Sequence, residues 1–102
     1  MSPREVQPPG EPYHGRHRVR ATRPREWQKL CQAVPGAMEI AYRELSDNPF
    51  PPGNLRRHHH LKGRLKGHWE YEVTGGGRVR YKRGADGDPV VTYAGPAPPD
   101  TH

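Results

Sequence analysis

Residues 61–81 alternate between apolar and charged side chains on either side of a three-glycine turn, and that pattern constrains the fold more than any other stretch. A strand sends successive side chains to opposite faces, so period-two alternation marks a strand with one buried and one exposed side. Trp69, Tyr71, Val73, Val79 and Tyr81 fall on one face, and His68, Glu70, Glu72, Arg78, Arg80 and Lys82 on the other. The expected structure is a hairpin, with strands over residues 68–74 and 78–83 joined at Gly75-Gly76-Gly77. No helix follows these glycines, so they supply a turn and not a phosphate loop, which needs a helix N-terminus.

The rest of the chain is read around that hairpin. Residues 1–15 hold four prolines and two glycines, with Val6 the one β-branched residue, and are expected to form a mobile arm outside a single domain over 16–102. Residues 17–22 alternate Arg18 and Arg20 against Val19 and Ala21, which predicts a first strand. Pro24, preceded by Thr22 and Arg23, marks a helix start, and Trp27, Leu30, Cys31 and Val34 follow at the helical spacing. Pro35-Gly36 interrupts this stripe, and a second helix over 36–47 carries Ala37, Ile40, Ala41 and Leu45. The prolines of residues 49–52 cannot continue it. Residues 54–67 read as a basic, histidine-rich loop, 84–88 as a turn, 90–94 as a last strand and 95–99 as an extended tail leading to Asp100, Thr101 and His102. The predicted class is α+β: an N-terminal strand, a two-helix hairpin, then a three-stranded antiparallel sheet with the helices on one face.

Charge narrows the partners. The formal net charge is +6, yet residues 56–83 alone contain nine Lys or Arg and two acids. Such a concentration favours a polyanion: nucleic acid, an anionic membrane or an acidic protein. No run approaches the length of a membrane span, the N-terminus lacks the apolar core of a signal peptide, and the single Cys31 excludes an internal disulfide. A reducing cytoplasm is the expected location.

Three groups can carry chemistry. Arg78, Arg80 and Lys82 share one face about 6.5–7 Å apart, close to the repeat of a nucleic-acid backbone, and arginine grips phosphate through two parallel hydrogen bonds. Glu70 and Glu72 across the hairpin offer these cations a purely structural pairing instead. Lys62, Arg64 and Lys66 lead into the hairpin and extend the basic surface toward RNA. His58, His59 and His60 are adjacent; a solvated loop, a phosphate contact and an acid–base role are all open to them. No Cys or spaced acid completes a metal shell around them, so neither metal nor cofactor is expected. Trp27, Trp69, Tyr71 and Tyr81 belong to the core face, whereas Tyr93 sits in the last strand, where it can reach a base.

The string Leu61-Lys62-Gly63-x-Leu65-x-Gly67-x-Trp69, joined to Gly77-Arg78-Val79-Arg80-Tyr81 and a last strand ending in a C-terminal His, resembles the RelE/YoeB toxins of bacterial type II toxin–antitoxin systems over residues 18–102. The resemblance implies a small ribonuclease that cleaves mRNA, often in the ribosomal A site, and an antitoxin partner encoded beside it. It assigns Arg78 to the scissile phosphate, Lys62 to the substrate and His102 to an acid or orienting role. His59 and His60 stand where the YoeB branch places a glutamate base, and nothing basic lies between Ala94 and Thr101.

The expected reaction is RNA cleavage by the substrate's own 2′-hydroxyl. His60 or His59 takes the proton, Arg78 with Arg80 or Lys62 stabilises the phosphorane, and His102 protonates the leaving group. The antitoxin is expected to bring an acidic or amphipathic segment to the basic face. Two alternatives keep the architecture without this chemistry: a ParE-type inhibitor of DNA gyrase, and an RNA- or ribosome-binding module with inert histidines.

Overall fold

The computed structural model describes residues 2–99. Its elements are β1 (Arg4–Glu5), β2 (Arg20–Ala21), α1 (Pro24–Ala33), α2 (Pro35–Asp47), β3 (His58–His60), a single 3₁₀ turn (Gly63–Leu65), β4 (His68–Glu72), β5 (Gly77–Arg83) and β6 (Pro89–Pro96). The α+β class and the helix pair are as expected. The three-stranded antiparallel sheet is not: six strands form one mixed sheet in the order β1-β2-β6-β5-β4-β3, with β2 parallel to β6. The additional strands, β1 and β3, are two and three residues long and lie at the two edges. Strands that short carry no period-two pattern; they are set by backbone pairing with a neighbour already in place.

Helix α1 starts as its proline directs, with Arg23 at the N-cap and Pro24 in the first turn. Val34 is at once the C-cap of α1 and the N-cap of α2, so the break is a single residue. In α2 the buried stripe is Met38, Ala41, Tyr42 and Leu45, whereas Ile40, expected inside, is 59% exposed. The helix begins at Pro35, and the stripe that continues the core from Met38 leaves position 40 on the solvent side.

The apolar face of the hairpin packs as the alternation predicts, whereas Glu70 and Arg80 of the charged face are buried as well. Tyr71, Val73, Val79 and Tyr81 are each no more than 4% exposed, and they meet Val91 and Ala94 of β6 and the buried stripes of α1 and α2. Val6, from the segment expected as an arm, is in the same core, and the Trp27 indole N–H donates to the Gln7 carbonyl at 2.9 Å. Ser46 fixes the following residues: its hydroxyl accepts from the Gly15 N–H at 3.1 Å and donates to the His17 carbonyl at 3.0 Å.

Two further ties hold the frame of the sheet. Arg20 of β2 pairs with Asp86 and Asp88 in the β5–β6 turn, and His17 lies 3.0 Å from Asp88. After α2, Phe50 packs on Trp69 and Tyr81, Arg83 lies over its ring at 4.1 Å, and the Tyr81 hydroxyl donates to the Pro49 carbonyl. This aromatic cluster brings the chain back to β4, where β3 can pair. Among the described residues no helix is long and apolar enough to cross a membrane.

Candidate nucleic-acid interface

Register places four chemically distinct residues in one row across the outer face. His59 of β3 stands opposite Glu70 of β4, Glu70 opposite Arg80 of β5, and Arg80 opposite Tyr93 of β6. Directly opposed residues share a face, so the row reads imidazole, carboxylate, guanidinium, phenol. A second row beside it pairs Glu72 with Arg78.

The cations of these rows are not the free ladder that alternation suggested. Glu70, 3% exposed, holds both arginines: Arg80 Nε lies 2.8 Å from Oε2 and Arg78 Nε 3.5 Å from Oε1. Arg78 also reaches Glu72 at 3.8 Å, and its Nη1 donates to the carbonyls of Thr74, Gly77 and Gly75 at 2.7, 3.0 and 3.2 Å. Arg78 is therefore the staple of the glycine turn as well as a charge in the site. Its side chain is 13% exposed and that of Arg80 10%, whereas Lys82 lies in the open. Two guanidiniums beside one carboxylate are drawn together because a charge removed from water needs a close counter-charge.

A cleft of about 630 Å³ opens over this face. Its floor is Glu70, Glu72, Arg78 and Arg80; its walls include His59 and Asn54 on one side and Lys62 with the 3₁₀ turn on the other. Gly63 and Gly67 bracket that turn with φ of 68° and 92°, values that side-chain-bearing residues rarely adopt. Lys62, Arg64 and Lys66 are exposed and form no ion pair among the described residues. A second hollow of about 700 Å³ shares Arg64, Leu65 and Arg80 with the first and adds His68, Tyr93, Pro98 and Pro99. Lys66 lines neither. The Tyr93 phenol donates to the Pro96 carbonyl, and burial, then Glu26, raises its pKa above the ordinary value.

The three histidines separate. Residues 58–60 form a strand and not the expected loop: the Arg57 carbonyl accepts from Glu72 N–H at 2.8 Å, the Leu61 N–H donates to His68 at 3.0 Å, and Asn54 and Leu55 cover the outer edge. Only His59 falls on the cleft face of the strand. His60 borders the cleft, but its Nε2 lies 3.0 Å from the Trp69 indole nitrogen and 3.1 Å from the Pro51 carbonyl oxygen, so the imidazole is committed to the opposite side of the sheet. His58 is 2% exposed, edge-on to Tyr71, with Nε2 unpartnered among the described residues; burial lowers its pKa, Glu44 opposes that shift and His59 adds to it. His102 lies outside the described residues.

Thus His59, Lys62, Arg64, Arg78 and Arg80 converge, Tyr93 adjoins them across Arg80, and Lys66, Lys82 and the His60 ring stand apart. The pairing with Glu70 and Glu72 that the alternating hairpin left open is the one formed; what spacing alone did not single out is Glu70 as the carboxylate shared by both arginines. Among the described residues no three His, Cys, Asp or Glu side chains gather as a metal-binding group. An anion is the ligand this arrangement suits: four Lys or Arg against two carboxylates, with the His59 imidazole on the cleft side. No protein-family model, curated protein or solved structure matches the chain.

Proposed function

We propose that this protein is an RNA-cleaving toxin of the RelE/YoeB kind, acting on single-stranded mRNA laid through the cleft. The observation that carries the reading is the convergence of His59, Lys62, Arg64, Arg78 and Arg80 on one concave surface of a strongly basic chain. Lys62 and Arg64, exposed on the wall, capture the phosphate backbone. Arg78 and Arg80, fixed and largely removed from water, stabilise the charge that builds on the phosphorane.

His59 is the base of this scheme, since the His60 ring is bound elsewhere. It takes the 2′-hydroxyl proton as the 2′-oxygen attacks phosphorus. The 5′-oxygen leaves and takes up a proton, and a 2′,3′-cyclic phosphate and a 5′-hydroxyl remain. The family resemblance gives the acid role to His102. The partner that fits is an antitoxin whose acidic or amphipathic segment covers Lys62 and Arg64.

Inducible expression followed by mapping of mRNA ends tests the reading. The expected result is growth arrest with new 5′-hydroxyl ends, both lost in His59→Ala and Arg80→Ala. Arrest that persists in both variants removes the cleft from the mechanism. One observation favours a second reading, RNA binding without cleavage: three turn carbonyls and two carboxylates already engage Arg78. Salt-dependent RNA binding with no cut product would select it.

A further inference from the structure

We propose that Arg78 and Arg80 form a phosphate subsite which the Glu70 carboxylate fills in the free protein. The two arginines, two positions apart on β5, address different oxygens of one carboxylate, at 3.5 and 2.8 Å. Carboxylate and phosphate present similar oxygens to a guanidinium, so a group that holds one is shaped for the other. The carboxylate is 3% exposed, and it lies on the floor of the cleft, not at its rim.

The consequence is a threshold. Among the described residues, with Glu70 in place and Glu72 3.8 Å from Arg78, the floor carries as much negative as positive charge. A lone anion meets a neutral floor and gains little. A polyanion is held first by Lys62 and Arg64 at the wall, and its phosphate then competes with Glu70 at high local concentration. Glu70 is thus an internal competitor that keeps small anions out and admits a chain of phosphates. The application to RNA rests on the function proposed above; the exchange with phosphate does not.

The test uses the full chain, with inorganic phosphate as the probe and calorimetry as the readout. Glu70→Gln keeps the shape of the side chain and removes its charge. It should bind phosphate at least about tenfold more tightly than the native protein, since a like charge in contact with the ligand is removed. Glu72→Gln changes the net charge equally but leaves the competitor in place, and should shift affinity less than about twofold. Equal gains in the two variants, or none in Glu70→Gln, overturn the proposal. If Glu70→Gln is unfolded in plain buffer, phosphate must restore its circular dichroism; failure to do so also overturns it. With a short single-stranded RNA, Glu70→Gln should steepen the slope of log affinity against log salt by about 0.7 for each cation released. Tighter phosphate binding without any RNA binding keeps the subsite and removes the nuclease reading. RNA binding without the gain in phosphate affinity does the reverse.

Discussion

The Trp69 indole nitrogen lies 3.0 Å from Nε2 of His60, while His59, one residue earlier, stands opposite Glu70 on the other face of the sheet. Two adjacent histidines thus have separate duties, one in packing and one in the cleft. A strand produces that division because neighbours along it point to opposite sides.

Substitution should expose the division. His60→Ala removes the partner of a tryptophan N–H and should destabilise the fold by about 1–2 kcal/mol, leaving RNA cleavage intact where the protein is folded. His59→Ala should shift stability by no more than about 0.5 kcal/mol and lower cleavage by about 10²–10⁴-fold. Urea titration read by tryptophan fluorescence, together with a cleavage assay, measures both. Equal loss of activity in the two variants would refute the division.

Burial lowers the His58 pKa below the ordinary histidine value, so as pH falls the unfolded chain takes up this proton before the folded one does. Its contribution to stability is therefore complete above about pH 6.5 and declines as the pH drops below that value toward the folded-state pKa. His58→Gln should flatten this limb relative to the native protein. The measurement is the urea midpoint of both proteins between about pH 8 and about pH 5; parallel curves would show that His58 does not contribute.

Ser46 links the N-terminal segment to α2 through two hydrogen bonds at a site with no exposure. Ser46→Ala leaves a backbone donor and a carbonyl without that partner and should destabilise the fold by about 1–3 kcal/mol. Amide exchange at Gly15 should quicken while that of β5 at Val79 changes only with global stability.

Lys62 and Arg64 are exposed, so their loss should leave the fold within about 0.5 kcal/mol of native. Each alanine variant should weaken RNA binding and reduce the salt slope by about 0.7. Arg78→Ala should differ from both, because the three carbonyls of the glycine turn lose their donor along with the charge. Binding over a range of salt, paired with thermal unfolding, separates the two kinds of cation.

The central hairpin was legible because period two is a strong signal when one face is aromatic and the other charged, and α1 because Trp27, Leu30 and Cys31 follow a helix-starting proline. The sheet edges were not legible. His58–His60 has neither alternation nor strand-forming residues; it is a strand because Phe50, Trp69 and Tyr81 bring it alongside β4. Val6 enters the core from a proline-rich stretch that shows no pattern of its own. The candidate site was legible in its membership more than in its state. Which cations shared a face, and which carboxylates stood across from them, followed from spacing, but the 3% exposure of Glu70 between two arginines did not.

The parallel pairing of β2 with β6 joins Arg20 to Val90, seventy positions apart. That pairing must close a long loop before its contacts form, so the sheet should complete itself after the local β4–β5 hairpin. A ribosome making this chain would release β5 and its arginines before the strand that locks them beside β2 has emerged. The nascent polypeptide would thus pass through a stage in which its basic surface exists without the scaffold that shapes it.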